Sequence, residues 1–155
     1  MSEKPFQDYW KHNKCWGCGY NKHGLQIKSY WKGDVSICVW EPHKHHMAGP
    51  VDVLNGGVIS SVIDCHAVGS AIANEYKIEG RELDSLPLIW CVTASLKIDY
   101  LKPTPIGTAI RLEASILQKE GRKVWLSCDV FSNKLKTVTA EVLAIRVNPD
   151  DWFKN

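Results

Sequence analysis

Apolar and polar residues alternate with a period of two over several stretches of the chain, and this alternation is typical of β-strands with one buried face. The stretches at 25–31 and 35–40 flank the turn Lys32-Gly33-Asp34 and predict a β-hairpin. Further strands are predicted over residues 96–100, 110–116, 124–131 and 137–147. The last stretch is apolar on both faces, as expected of a strand with neighbours on both sides. The pattern therefore predicts about six strands, mostly antiparallel.

One long segment departs from this period. Between residues 55 and 76 the apolar side chains recur at helical spacing, which predicts an α-helix ~33 Å long at ~1.5 Å per residue. A shorter helix is predicted over residues 5–14. Strands together with one long helix packed on the sheet predict an α+β fold. We expect a single domain over 1–155, with a helix and a cysteine-rich motif in 1–24 and the central helix over 55–76.

Composition excludes several classes of protein. The 155 residues include 19 Lys and Arg against 17 Asp and Glu, a balance that argues against a dedicated binder of nucleic acid or of anionic membranes. No membrane span is expected, because Asp64 and His66 interrupt the longest nearly uncharged stretch. Residues 1–5 lack the apolar region of a secretory signal, so we expect a cytoplasmic protein whose six cysteines are reduced.

The predicted central helix carries a single charge over most of its length. Between Asn55 and Asn74 the only formally charged side chain is Asp64. Burying a lone carboxylate costs several kcal/mol unless it is hydrogen-bonded, paired or neutralised. Such surroundings raise the pKa of a carboxyl group toward the range that a general base needs near neutral pH. The alternative is a structural carboxylate that is hydrogen-bonded across a subunit interface.

The start of the same helix offers backbone N–H donors. In Asn55-Gly56-Gly57 the glycines stand where the first turn of the helix leaves N–H groups without partners, and the helix dipole adds positive charge there. This arrangement suits a developing oxyanion; an N-cap followed by tightly packed glycines is the alternative. Gly56 and Asp64 are eight residues, or ~12 Å, apart along one helix, so they could act together only if two helices pair antiparallel across a dimer.

Three motifs in order point to a known family. Residues 55–64, Asn-Gly-Gly followed after six residues by Asp, resemble a helix motif in which His precedes the two glycines. Residues 15–25, Cys-Trp-Gly-Cys-Gly through Gly-Leu, resemble an N-terminal motif, and residues 96–103 resemble the strand that follows the helix. Together they resemble the hotdog-fold acyl-CoA thioesterases of the phenylacetate-degradation (PaaI-like) type, over about 15–147.

The resemblance implies a five- or six-stranded antiparallel sheet wrapped around one central helix, and a homodimer or a dimer-of-dimers tetramer. It also implies that Asp64 is the catalytic carboxylate, as general base or nucleophile, and that the backbone N–H of Gly56 polarises the thioester carbonyl of a substrate bound to the other subunit. Thr93 falls where relatives carry a hydroxyl near the water. Asn55 replaces the usual histidine and would orient the carbonyl or the water, since Gly49 lacks the carboxamide that relatives often carry there.

The resemblance also suggests contacts with acyl-CoA. Basic residues beside strand ends and a turn are candidates for the CoA phosphates, and two tryptophans are candidates for an acyl pocket, although simple exposure and sheet packing are the alternatives. The residues expected to bind substrate are Trp40, Gly57, Trp90, Lys102, Arg122 and Lys123. No cofactor is expected.

Metal binding is a weaker interpretation of the cysteine-rich motif. His12, Cys15, Cys18 and His23 are four possible zinc ligands, but their spacing is not that of a standard finger. We therefore expect no metal. The histidines of the 41–50 loop could bind a metal or line the acyl entrance, and a solvated loop is the expectation.

Two residues next to Asp64 also invite a catalytic interpretation. Cys65 could be a nucleophile, but a helical cysteine more often acts as a small hydrophobe. His66 lies two residues after Asp64, and such residues do not face each other on a helix, so we expect a structural or interfacial role.

The sequence thus favours hydrolysis of acyl-CoA thioesters to free acid and CoA. The main alternative is an inactive hotdog module that binds acyl-CoA or a partner protein, suggested by the replacements at Asn55 and Gly49. Hydratase or dehydratase chemistry is less favoured, because the Asp-His spacing typical of those enzymes is absent. A zinc-stabilised interaction domain is a further alternative.

Overall fold

A computed structural model describes residues 4–152 as one six-stranded antiparallel sheet with a long helix packed against it. The sheet and helix elements in chain order are β1 (Ser29–Lys32), β2 (Val35–Trp40), α1 (Gly56–Ile78), β3 (Trp90–Tyr100), β4 (Ile110–Glu120), β5 (Lys123–Ser132), β6 (Leu135–Val147) and α2 (Pro149–Trp152). Short 3₁₀ turns occupy Phe6–Asp8 and Lys44–His46. The α+β architecture is the predicted one.

The strand order is β1-β2-β4-β5-β6-β3, and every neighbouring pair is antiparallel. β6 lies between β5 and β3, which confirms the prediction of an interior strand. β1 and β3 are the edges. β3 has eleven residues and pairs on one side only within the described part of the chain, so it presents a long open edge.

Period-two alternation explains why the strands bury one face. Along β5 the even-numbered residues from Val124 to Ser132 are buried, while Trp125, Ser127 and the following odd-numbered residues are half-buried. The buried set faces α1 and forms the core together with the apolar side of the helix. The position of α1 is therefore fixed by the sheet beneath it.

α1 begins at Gly56, where Asn55 is the N-cap, and ends at Ile78, two residues later than predicted. Gly80 follows with a φ of 62°, a left-handed conformation that glycine adopts without strain and that ends the helix. By length and composition α1 could cross a membrane, contrary to the sequence-based expectation. Most of its apolar stretch is buried inside the fold, which accounts for its composition.

The N-terminal segment differs from the prediction. Instead of a helix over 5–14, it forms one 3₁₀ turn, because tertiary contacts hold its side chains. The Trp10 indole N–H donates to the carbonyl of Leu83 at 3.0 Å, and the Gln7 side chain hydrogen-bonds to Ser29. The predicted first strand begins at Ser29 rather than Leu25, since the backbone of Gln26 has a φ of 53°.

A second carboxylate in α1 lies beyond the stretch that carries a single charge. Glu75 is 2% exposed, and two cations neutralise it. The Lys119 Nζ lies 3.0 Å from its Oε1, and the Arg146 Nη1 lies 3.1 Å from its Oε2. Arg146 also bonds to Glu79 at 2.6 Å. This cluster ties the last turns of the helix to β4 and β6.

Candidate active site

Asp64 is half-buried on α1, and its only hydrogen-bond partner within residues 4–152 is the hydroxyl of Thr93 on β3. No Lys, Arg or His of the described chain forms an ion pair with it. Burial raises the pKa of Asp64 above its ordinary value, the Thr93 hydrogen bond lowers it in part, and the charge of Cys15 raises it further. Unlike Glu75, Asp64 is a carboxylate without a neutralising cation, so it is free to accept a proton.

A cavity of about 270 Å³ opens beside Asp64. Its walls are mainly apolar, with Trp10 and Trp90 packed edge to face at 5.9 Å between ring centroids. The other lining residues are Asn13, Cys15, Cys18, Cys65, Val68, Gly69, Ile72, Cys91, Val92 and Thr93. The cavity therefore joins a carboxylate, a hydroxyl and an apolar pocket.

The start of α1 leaves one N–H group available. The Asn55 Oδ1 accepts hydrogen bonds from the N–H groups of Gly57 at 2.8 Å and of Val58 at 3.1 Å. The N–H of Gly56 has no acceptor among residues 4–152. Asn55 is thus a helix cap whose amide N–H₂ has no acceptor in the part of the chain that the structure describes, and Gly56 carries the open backbone donor.

Tyr100 fixes the Gly56 peptide, a role in the site that the sequence did not reveal. Its hydroxyl donates to the carbonyl of Gly56 at 2.7 Å, and its ring covers the glycine. The sequence identified only the strand motif that contains Tyr100. Its contact with Gly56 could not be predicted, because no periodicity relates residues that are 44 positions apart.

A second cavity, of about 410 Å³, adjoins this helix start. Gly56, Tyr100 and Lys102 line it, together with Pro103 and Thr104 at the end of the same connection. Lys102 is therefore placed where a negatively charged group near the Gly56 N–H would meet it. The Asp64 cavity shares no lining residue with this one.

The two halves of the expected site are consequently separate within one chain. Asp64 and Gly56 stand eight residues apart on α1, a rise of ~12 Å, and each faces its own cavity. Thr93, which the resemblance places near the water, lies beside Asp64, and Trp90 lines the same cavity.

Four of the residues expected to bind substrate line neither cavity. Gly57 is the second residue of α1, and its N–H donates to the Asn55 side chain. Trp40 is a core residue: its indole N–H donates to the carbonyl of Leu25 at 3.0 Å, and its ring packs on His46. Arg122 and Lys123 are exposed at the turn between β4 and β5. The turn prediction for this pair was right, but neither residue lines the Asp64 or the Gly56 cavity.

The histidines of α1 and of the 41–50 loop make packing and hydrogen-bond contacts away from Asp64. His66 is fully buried, with its Nδ1 2.9 Å from the Ser29 hydroxyl and its Nε2 3.2 Å from the carbonyl of Ser36. Burial lowers the pKa of His66 to about 4, so the ring is neutral, and it does not contact Asp64. In the 41–50 loop, the rings of His43, His45 and His46 pack on one another at 4.2–5.6 Å.

The cysteines of the N-terminal motif lie close to Cys65 of α1, and not to the two histidines considered from the sequence. The thiols of Cys15 and Cys18 converge on Cys65, whereas His12 packs against Trp90 and His23 does not join the group. The neighbouring thiols lower the pKa of Cys15 through hydrogen bonds to its sulfur. Cys65 could not be linked to the motif in advance, because it lies 50 residues further along the chain.

The chain is similar to proteins of known family. A family model described as the thioesterase superfamily matches residues 52–139. Acyl-coenzyme A thioesterase THEM4 from Rattus norvegicus is 32% identical over 133 residues, which cover 84% of this chain and 47% of the relative. The Xenopus laevis protein of the same name is 28% identical, covering 70% and 43%. The chain thus spans about half the length of the curated relatives it matches.

Solved structures share the architecture. A thioesterase superfamily protein from Shewanella loihica is 35% identical and superposes with a TM-score of 0.64. The aligned region covers 83% of this chain and 96% of that one. The Escherichia coli PaaI protein from the phenylacetic acid degradation operon has a TM-score of 0.64 at 12% identity, over 79% and 80% of the two chains. The second likeness concerns the fold alone, and it confirms the hotdog architecture that the motifs imply.

Proposed function

The chain belongs to the thioesterase superfamily, and on that premise we propose that it hydrolyses acyl-CoA thioesters to a free acid and CoA. The observation that carries the proposal is the carboxylate of Asp64, which has no cation partner in the described chain, is hydrogen-bonded to Thr93 and lines an apolar cavity. The name of the curated relatives, acyl-coenzyme A thioesterase, supports the same substrate class.

Asp64 supplies the base in this proposal. Its carboxylate accepts a proton from water while the water oxygen bonds to the thioester carbonyl carbon, and the Thr93 hydroxyl holds the carboxylate in place. The resulting oxyanion accepts a hydrogen bond from the N–H of Gly56. Collapse of this intermediate breaks the C–S bond, and the CoA sulfur takes the proton held by Asp64. Direct attack by the carboxylate, followed by hydrolysis of the anhydride, is the other route open to the same residue.

The active unit is proposed to be a homodimer. Since ~12 Å separates Asp64 from the Gly56 of its own chain, the oxyanion donor for each Asp64 would be Gly56 of the partner subunit. The open edge of β3 supports this arrangement, because it carries Thr93 and offers eleven residues for pairing with a second copy. A dimer of dimers would repeat the same site.

The cavities suggest how the substrate divides between them. The tryptophan-lined space of about 270 Å³ suits a compact apolar acyl group, and aromatic rings would pack against Trp10 and Trp90. Lys102, at the cavity near Gly56, is the basic residue proposed to contact a CoA phosphate. The proposed division places the acyl group and CoA on opposite sides of the reacting carbonyl.

Steady-state hydrolysis of a panel of acyl-CoAs by the wild type and by Asp64→Asn tests the proposal. The amide keeps the shape of the carboxylate but cannot act as a base, so we expect kcat to fall by at least ~100-fold. Thermal unfolding serves as the control for folding, and we expect Tm to hold or rise because a half-buried charge is removed. Equal rates in the two proteins would refute the role of Asp64. Tight binding of acyl-CoA by the wild type without turnover would favour the inactive-module alternative.

A further inference from the structure

Three thiols from distant parts of the sequence meet at the wall of the Asp64 cavity. Cys15 and Cys18 belong to the N-terminal segment and Cys65 to α1, and their sulfur atoms all lie within 4.8 Å of one another. The Sγ atoms of Cys15 and Cys65 are 3.6 Å apart. The proposed hydrolysis uses none of these groups, so it does not explain their convergence.

Hydrogen-bond donors point at the sulfur atoms of the N-terminal segment. The backbone N–H of Gly17 donates to the Sγ of Cys15 at 3.3 Å, and the Asn13 side-chain amide donates to the Sγ of Cys18 at 3.4 Å. Donors of this kind stabilise thiolates and orient metal ligands. No Lys or Arg lines this cavity in the described chain, so the thiolates have no side-chain cation there to balance their charge.

Glycines allow the segment to approach α1 closely. A Cβ at Gly17 would lie 2.3 Å from the Sγ of Cys65, so any other residue there would displace the thiol. Backbone bonds hold the turn, since the N–H of Gly19 donates to the carbonyl of Cys15 at 2.8 Å and that of Leu25 donates to Trp16 at 2.9 Å. The three sulfur atoms are therefore held together by the fold itself.

The spacing of the sulfur atoms favours a metal over a disulfide. A disulfide needs a sulfur separation of about 2.0 Å and would use only two of the three thiols. Tetrahedral Zn²⁺ with Zn–S bonds of about 2.3 Å places its sulfur ligands ~3.8 Å apart. The separation of 3.6 Å between Cys15 and Cys65 is close to the second value.

We propose that Cys15, Cys18 and Cys65 bind one Zn²⁺ ion as thiolates, with the fourth tetrahedral position open to a water molecule. Binding releases to solvent the protons that the thiols of Cys18 and Cys65 still hold. No fourth Cys, His, Asp or Glu of residues 4–152 joins the group, and three protein ligands with one open position are an established zinc geometry. The ion fastens the N-terminal segment to α1 next to Asp64. This ligand set replaces the one built on His12 and His23, and it revises the expectation of no metal.

Metal analysis of protein prepared without a histidine tag tests the proposal. Reduced apoprotein is incubated with Zn²⁺, passed through a desalting column and analysed for bound metal. We expect about one equivalent of Zn²⁺ per chain, and binding weaker by more than roughly 100-fold in Cys15→Ala and Cys65→Ala, because even outer-shell changes cost 10–100-fold in affinity. Cys91→Ala is the matched control, since Cys91 lines the same cavity outside the cluster, and it should keep the metal.

Substitution of Co²⁺ identifies the ligands spectroscopically. A thiolate site gives an intense sulfur-to-cobalt charge-transfer band that a site built from the histidines of the 41–50 loop lacks, and we expect this band to vanish in Cys65→Ala. Reduced wild-type protein that takes up no metal would overturn the proposal, as would metal retained by both cysteine variants or a Cys15–Cys65 disulfide in place of binding. These readouts do not involve hydrolysis, so failure here is distinct from failure of the proposed function.

Discussion

Asn55 and Gly56 have different roles at the start of α1: Asn55 caps the helix, and Gly56 carries an open N–H donor. The Asn55 side chain accepts hydrogen bonds from the N–H groups of Gly57 and Val58, which satisfies two of the donors that a helix start leaves open. The N–H of Gly56 is left without an acceptor in the described chain, and Tyr100 holds the other side of that residue through its carbonyl. The sequence suggested both a cap and an oxyanion donor for this motif, and the structure is compatible with both at once.

Gly56→Pro removes this donor with little disturbance of the backbone. Proline is favoured at the first helical position, and Asn55, at φ −60° and ψ 130°, already has the extended conformation that a residue before proline adopts. If the N–H stabilises the oxyanion, kcat should fall by ~100- to 1,000-fold. The measurement is steady-state hydrolysis of the best acyl-CoA in the panel.

Gly56→Ala is the control for that variant. It adds the same Cβ, 3.4 Å from the Tyr100 ring, and keeps the N–H, so it should lose far less activity than Gly56→Pro. Equal losses in the two variants would attribute the effect to crowding of Tyr100 and contradict the role of the donor.

At the level of single residues, the sequence predicted what a local pattern can reveal. Asp64 stood out because its helix has no other charge over twenty positions, and Thr93 was located by its motif. Tyr100 and Cys65 could not be assigned, since each acts through a contact 44 or 50 residues away in the chain. Trp40 was misplaced because composition does not distinguish a core indole from one that lines a pocket.

Among the secondary-structure elements, α1 carries two carboxylates in different surroundings. Glu75 is almost fully buried and neutralised by Lys119 and Arg146, whereas Asp64 faces a cavity and has no cation partner in residues 4–152. The first arrangement holds the helix end to the sheet. The second leaves a carboxylate available for chemistry, which is why Asp64 and not Glu75 is the candidate base.

Arg146→Ala should destabilise the protein by about 2 kcal/mol in urea unfolding. This loss of stability is smaller than the 3–5 kcal/mol that breaking a fully buried ion pair costs, because Lys119 still faces Glu75 and Arg146 itself is partly exposed. Arg111→Ala is the control, since Arg111 pairs with Glu113 at the surface and should cost less than ~1 kcal/mol. Equal losses in both variants would mean that the buried cluster stabilises the fold no more than an ion pair at the surface does.

Prediction of the elements succeeded where periodicity was uninterrupted. The strands from β4 to β6 and the long helix follow their hydrophobic patterns to within a few residues. β3 was predicted only over 96–100, because a bulge between Thr93 and Ser95 shifts the alternation in its first half. The N-terminal segment failed as a helix, since its aromatic residues are placed by contacts with distant parts of the chain.

At the level of the whole molecule, the separation of the two half-sites is the reason for proposing a dimer as the active unit. The Asp64 cavity and the Gly56 cavity share no residue, and the rigid helix between them prevents their approach. The open edge of β3 beside Asp64 offers the surface through which a second copy could complete each site. We therefore propose that catalysis occurs between two chains.

Hydrolysis by a mixed dimer shows whether each active site uses residues of two chains. Asp64→Asn and Gly56→Pro chains are co-expressed with different affinity tags, and the heterodimer is isolated by sequential purification on both. One of its two sites then contains both substitutions and the other contains neither. We therefore expect about half of the wild-type kcat per dimer, although each homodimeric variant is nearly inactive. A heterodimer as inactive as the two homodimers, or the failure of the chains to associate, would exclude a site shared between two chains.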